Sequence, residues 1–262
     1  MQAIILCGGR GTRLREITET LPKPMVEIGG KPILWHIMAI YSHHNIRDFI
    51  LCLGYKGNVI KDYFLNFQAM NSDFSIVLGE NNSIQFRNSF QMEKGWKLSL
   101  IDTGENSMTG DRVKLAMANL TNRNETFCVT YGDGISDIDL THAYQFHKSH
   151  GKLATITGVR PPSRFGELEA DGDTVVVFNE KPQIRQGLIN GGFFFFEPDF
   201  ARYIPDSPGV ALEKEPLEKC VADRQLKVYE HKGFWQGIDT YRDLENSEMQ
   251  WRSGKPLWKV WK

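Results

Sequence analysis

The chain has 262 residues, of which 41% are hydrophobic, 24% charged and 11% aromatic. That balance excludes a disordered, collagenous or coiled-coil chain. Lys and Arg number 31 against 32 Asp and Glu, so bulk charge offers nothing to a nucleic acid or an anionic membrane surface.

From the N-terminus, Ala3–Cys7 is apolar throughout and reads as a strand. No basic n-region or small-residue cleavage site accompanies it, which predicts a cytoplasmic protein. Pro32–His43 predicts a helix with Ile33, Leu34, Ile37, Ile40 and Tyr41 on one side. Phe49–Leu53 predicts a strand, Val59–Phe67 a helix and Ile76–Leu78 a short strand. Residues 80–100 alternate weakly and read as a hairpin insertion. Asp111–Leu120 predicts a helix and Thr126–Tyr131 a strand. Apolar strands alternating with helices imply an α/β fold with a mainly parallel sheet covered on both faces. Further on, Leu153–Val159, Thr174–Phe178, Gly192–Phe196 and Leu226–Tyr229 read as strands extending the same sheet, partly antiparallel. Val210–Ala222 and Thr240–Trp251 read as helices. Phe193–Phe196 is a buried strand, far short of the ~18 residues of a membrane helix. No repeat, low-complexity tract or linker interrupts the chain, which predicts one domain over residues 1–262.

Cys7, Cys52, Cys128 and Cys220 form no Cys-x-x-Cys pair and read as reduced, buried thiols. None of the seven histidines sits in a His-Glu-x-x-His frame, so surface or core roles are expected of them. Trp251, Trp258 and Trp261 read as packing or as an oligomer contact.

The chemistry concentrates after the first strand, in Cys7-Gly8-Gly9-Arg10-Gly11-Thr12-Arg13-Leu14. Glycines there let backbone N–H groups approach phosphate oxygens, and ligands of open α/β sheets bind beyond strand C-termini. The dinucleotide pattern fails at Leu14 and the Walker Gly-Lys-Ser/Thr is absent, so this is a phosphate loop of a third kind. Arg13 is available as a pyrophosphate clamp. Lys23 follows in Leu21-Pro22-Lys23-Pro24-Met25, where two prolines hold it on a rigid segment.

Together, Leu6–Leu14 and Pro22-Lys23-Pro24-Met25 resemble the signature of the sugar-1-phosphate nucleotidylyltransferases, with Cys7 in place of the usual Ala. Val26–Met38, Gly54-Tyr55-Lys56-Gly57, Asp102-Thr103-Gly104, Ser107–Gly110, Tyr131–Gly134 and Phe234-Trp235-Gln236 resemble the glucose-1-phosphate cytidylyltransferase branch in particular. The resemblance implies a Rossmann-like three-layer fold of the nucleotide-diphospho-sugar transferase type. It also implies a nucleotide-binding half (1–135) and a sugar-phosphate-binding half (136–262). The implied reaction joins CTP and α-D-glucose 1-phosphate into CDP-glucose and pyrophosphate, assisted by Mg²⁺. Other readings stay open: the same chemistry with dTTP, UTP or another sugar phosphate, or a catalytically silent nucleotide-binding paralogue. A homo-oligomer, with a hexamer as one form, and a lipopolysaccharide O-antigen pathway are family expectations.

Carried over residue by residue, the resemblance makes Arg13, Lys23 and Asp133 catalytic. Asp133 and Asp239 share the metal, although Gly237-Ile238 stands where the branch usually has Pro-Met; an N-cap role is the simpler alternative for Asp239. Leu6, Cys7, Gly8, Gly9, Arg10, Gly11, Thr12, Arg13, Lys23 and Gly132 bind the nucleotide. Thr103, Gly104, Ser107 and Met108 face the base and ribose, with Arg112 reaching the triphosphate. Gly166, Glu180, Lys181, Asn190, Gly191 and Trp235 form the sugar-phosphate pocket.

Overall fold

Ala3–Leu6 is buried along its whole length, as a strand flanked by neighbours on both edges and covered on both faces must be. The structure, a computed structural model, describes residues 1–9, 11, 14, 18–79, 83–87, 93–160, 167–179 and 187–261, with backbone alone for 167–170 and 177–179. Among them the first half runs β1 (Ala3–Leu6), β2 (Glu27–Ile28), β3 (Lys31–Pro32), α1 (Ile33–His43), β4 (Asp48–Leu53), α2 (Gly57–Leu65), α3 (Phe67–Asn71), β5 (Phe74–Ile76), β6 (Ile84–Phe86), β7 (Lys97–Asp102) and α4 (Thr109–Met117). The second half runs β8 (Phe127–Tyr131), β9 (Gly134–Ser136), α5 (Leu140–His150), β10 (Ala154–Val159), β11 (Glu167–Asp171), β12 (Thr174–Asn179), β13 (Ile189–Asn190), β14 (Phe194–Phe196), α6 (Glu215–Ala222), β15 (Leu226–His231), β16 (Trp235–Gly237) and α7 (Tyr241–Arg252).

The main sheet is mixed and mostly parallel, as expected. β7, β4, β1 and β8 are parallel neighbours; β14 joins antiparallel to both β8 and β10, and β15 lies parallel to β10. Alternate residues of β1 serve two cores. Ala3 and Ile5 belong to one core cluster with residues of α1 and α5 and Trp258, whereas Ile4 and Leu6 belong to a second with residues of α4 and α6. That is the three-layer arrangement of helix, sheet and helix.

Local signals account for several boundaries. Asn45 with φ 62° stops the chain after α1, and Gly151 with φ 61° stops α5, both in the left-handed region these residues tolerate. Between β13 and β14 the register against β10 steps by two residues across Gly191-Gly192-Phe193. Gly192 (φ 75°) and Phe193 (φ 46°) absorb that step. A left-handed phenylalanine is strained, and Phe193 is held there by burial and by stacking on Tyr41 at 5.8 Å. So the predicted strand from Gly192 begins only at Phe194.

Three expectations need correction. Thr174–Asn179 does not extend the main sheet; it pairs with Glu167–Asp171 in a separate ribbon. β10 already has β13 and β14 on one side and β15 on the other, which leaves it no free edge. The hairpin is Phe74–Ile76 with Ile84–Phe86, while residues 97–102 form a parallel strand at the sheet edge. The helix predicted from Val210 begins at Glu215, because the preceding loop spends its backbone groups on α4. α5, β9 and β16 were not anticipated.

The four cysteines are free and buried, as read from their spacing. Trp258 and Trp261 are buried and pack with Trp35 and Trp251 around His36. Among the described residues no helix is long and apolar enough to cross a membrane.

Candidate active site

A cavity of about 440 Å³ opens at the C-terminal ends of β1 and β8. This is where open α/β sheets bind ligands. Of the residues singled out from sequence, Leu6, Gly8, Gly9, Gly11, Lys23, Ser107, Met108, Arg112, Gly132 and Asp133 line it. Pro24, Glu105, Asn106, Thr109 and Tyr131 also line it and were missed. Pro24, Thr109 and Tyr131 stand inside the quoted motifs without having been given a role, and Glu105 and Asn106 lie between two of them.

Pro22 opens a short 3-10 turn over Lys23–Met25, and the Val26 N–H closes it on the Lys23 carbonyl. That turn aims the Lys23 side chain into the site, where the ammonium donates to Asp133 Oδ2 and to Asp239 Oδ1, each at 2.6 Å. Burial alone would lower the Lys23 pKa. The Asp133 charge and the hydrogen bonds to both carboxylates outweigh it and raise the value, so the ammonium stays charged.

The two aspartates meet because β9 and β16 pair. Gly134 faces Gly237, and the Ile238 N–H donates to the Asp133 carbonyl at 2.9 Å. Ile238 is sealed in the core, so the Gly237-Ile238 departure from the family pattern is accommodated by strand pairing and packing. The N-cap alternative for Asp239 fails. Thr240 caps α7 in a capping box with Asp243, which leaves the Asp239 carboxylate to Lys23.

The donor chemistry here fits a divalent cation. Two hard carboxylate oxygens already converge on one positive centre, the Lys23 ammonium. Among the described residues no group of three or more His, Cys, Asp and Glu is placed to hold a metal ion.

Arg112 lines the cavity and is at the same time anchored to the loops around it. Its guanidinium is buried and donates to the carbonyls of Leu53 (2.9 Å), Gly8 (3.2 Å) and Glu105 (3.3 Å) and to Thr103 Oγ1 (2.6 Å). Burial lowers its pKa, with the nearby thiols and carboxylates opposing. Glycine at 8 and 54 makes room for it: a Cβ would stand 2.1 Å and 2.6 Å from guanidinium atoms. Arg112 thus ties three loops together at the cavity wall.

Cys7, Thr103 and Gly104 do not line the cavity. Cys7 Sγ donates to the Ile5 carbonyl at 3.5 Å, and burial pushes its thiol pKa up, away from reactivity. Thr103 Oγ1 donates to Leu53 O at 2.7 Å, and Gly104 takes φ 90° in the turn that follows. On the other flank, the Asn190 amide donates to the Tyr131 hydroxyl at 2.9 Å, and Trp235 Nε1 donates to Gly191 O at 2.8 Å. Gly191 is forced by close packing, since a Cβ would meet Val159 at 2.7 Å. Arg10, Thr12, Arg13, Gly166, Glu180 and Lys181 lie outside the described residues.

Comparison with known proteins gives four results. Residues 2–253 match the family described as nucleotidyl transferase. The chain is 47% identical to glucose-1-phosphate cytidylyltransferase of Salmonella typhi over 261 residues, covering 100% of both chains. It is 33% identical to the mannose-1-phosphate guanylyltransferase catalytic subunit beta of Danio rerio, over 93% of this chain and 62% of that one. In fold it is similar to a UDP-glucose pyrophosphorylase solved with UDP-glucose, at a TM-score of 0.67 and 16% identity over 97% and 99% of the two chains.

Proposed function

The chain belongs to the nucleotidyl transferase family, and from that premise we propose that it transfers a cytidylyl group from CTP to α-D-glucose 1-phosphate. The observation that carries the choice of substrates is the 47% identity, without truncation on either side, to a glucose-1-phosphate cytidylyltransferase. The geometry supports the chemistry, with a glycine-lined cavity whose wall includes Lys23 and Asp133, and Asp239 on the same ammonium.

In this reading a phosphate oxygen of glucose 1-phosphate attacks the α-phosphorus of CTP in line. One P–O bond forms, the bond to the β-phosphate bridge breaks, and pyrophosphate leaves. No group of the protein becomes covalently attached; its work is positioning and charge stabilisation. Gly8, Gly9 and Gly11 bring backbone close to the triphosphate, and Arg13 clamps it. Lys23 holds its proton and presents an ammonium to the phosphates. Asp133 and Asp239 would hold Mg²⁺, which supplies Lewis-acid neutralisation of the phosphate oxygens when bound. Without it, Lys23, Asp133 and Asp239 carry one net negative charge where an anion must enter, an electrostatic reason for a cation there.

Glu180 and Lys181 hold the sugar phosphate, with Gly166, Asn190, Gly191 and Trp235 around the hexose. One domain, a cytoplasmic setting where CTP is available and a homo-oligomer belong to the same reading. The exposed apolar residues Leu65, Met70, Phe74, Ile76 and Leu78 support the oligomer as a surface a second copy would cover. Pyrophosphate release from a panel of nucleotides against sugar 1-phosphates tests the substrates. Preference for CTP with glucose 1-phosphate is expected; preference for dTTP or a purine nucleotide overturns the assignment.

A further inference from the structure

Glu213 belongs to none of the motifs, yet it holds two side chains of the cavity wall. Its Oε1 accepts from the Tyr131 hydroxyl and its Oε2 from the Thr109 hydroxyl, each at 2.6 Å. Both Tyr131 and Thr109 line the cavity. The loop carrying Glu213 is latched to the start of α4. The N–H groups of Gly110 and Asp111 donate to Val210 O (2.9 and 3.2 Å), and those of Gly209 and Val210 donate to the Asp111 carboxylate (3.0 and 3.1 Å). A Cβ on Gly110 would lie 2.7 Å from that same carbonyl, so the loop and helix are in close contact.

The consequence is a fixed hydrogen-bond polarity. A carboxylate only accepts, so both hydroxyl protons are committed to Glu213. Leu212 N–H donates to Thr109 Oγ1 at 2.8 Å, and Asn190 Nδ2 donates to the Tyr131 oxygen at 2.9 Å. Asn190 cannot be turned round, because its Oδ1 accepts from Gly192 N–H at 2.9 Å. Burial and the Glu213 charge push the Tyr131 phenol pKa up, so it keeps its proton. What remains for a ligand is one lone pair on each hydroxyl oxygen and one free N–H of Asn190.

We propose that Glu213 is a positioning residue that makes the Thr109 and Tyr131 hydroxyls acceptors toward the cavity, so this wall selects a ligand group that donates. In the substrates of the proposed reaction, on which this inference rests, such a group is a hydroxyl of the hexose or of the ribose. Neutral Gln at 213 keeps the size but brings an N–H₂ that must donate to one of the two hydroxyls. That hydroxyl then turns its own proton into the cavity, against the ligand's.

The test is calorimetric binding of CTP, dCTP, CDP-glucose and CDP-2-deoxyglucose to the wild type, Glu213→Gln, Tyr131→Phe and the double variant. Glu213→Gln is expected to weaken CDP-glucose binding about tenfold, and less for the analogue lacking the hydroxyl that is read. Loss of discrimination between CTP and dCTP assigns the contact to ribose; loss between the two CDP-sugars assigns it to the hexose. The Gln effect should shrink when Phe replaces Tyr131. Equal effects of Glu213→Gln on every ligand and in both backgrounds would overturn the proposal. Absence of CTP and CDP-glucose binding by the wild type would instead refute the proposed reaction, a separate outcome.

Discussion

Asp133 and Asp239 close on the same ammonium, that of Lys23, at 2.6 Å each. Neither carboxylate is there by accident of a loop. One precedes β9 and the other follows β16, and the antiparallel pairing of those strands fixes their separation. The placement of the two carboxylates is therefore set by the backbone ladder beneath them, which suits the positioning role proposed for the site.

Replacing Asp133 by Asn keeps the shape and removes one charge. Turnover is expected to fall by about 10² or more, on the scale of losing one electrostatic stabiliser, while the circular dichroism spectrum is unchanged. Chelation of divalent metal should silence the wild type. Near-normal turnover in the Asn variant would contradict the role given to Asp133.

The Gly8–Arg112 contact predicts non-additive stability. Gly8→Ala puts a Cβ into the guanidinium and is expected to cost about 1–3 kcal/mol. In an Arg112→Ala background the same change should cost much less, because the obstruction is gone. Denaturant melts of the four proteins measure this; additive costs would show that Arg112 does not occupy the space beside Gly8.

Much of this was legible in advance. The glycine loop, the proline-braced Lys23 and the two aspartates were read as one site, and the described members of that set do converge. Arg112 shows the limit of a motif. Its charge and position at a helix start point to an anion contact, and it does line the cavity, but its anchoring by the carbonyls of Gly8, Leu53 and Glu105 is something no local pattern reveals. Lys97–Asp102 escaped notice as a sheet strand because it lies at the edge and is only half covered, which blurs its alternation. Glu213 escaped because its partners, Thr109 and Tyr131, are remote in sequence.

Acid sensitivity should follow from buried histidine. His36 is sealed beneath the tryptophans, with its ring nitrogens on Ile28 O (2.9 Å) and Trp258 Nε1 (3.3 Å), and burial lowers its pKa to about 4. The unfolded chain titrates near 6.5, so between those values it takes a proton that the folded chain refuses. Stability is fully present above about pH 6.5 and falls toward pH 4, by up to ~3 kcal/mol from this group. His147, also lowered to about 4 by burial, adds to the loss. Urea unfolding at pH 7 and pH 4.5 checks this, and a His36→Gln variant should show a shallower decline. An equal decline in both proteins would remove His36 from the account.

Lys181 rests on sequence resemblance, and its prediction is kinetic. Lys181→Ala should raise the KM for glucose 1-phosphate far more than that for CTP. Equal increases would contradict its assignment to the sugar phosphate.

The central claim is the pairing of CTP with glucose 1-phosphate. Incubating the purified protein with equal CTP, UTP, dTTP, GTP and ATP, glucose 1-phosphate and Mg²⁺, and weighing the nucleotide sugar formed by mass spectrometry, tests it most directly. The account predicts the mass of CDP-glucose as the dominant product, with pyrophosphate in equal amount. A UDP-, dTDP- or purine-linked glucose as the main species, or no nucleotide sugar at all, would contradict it.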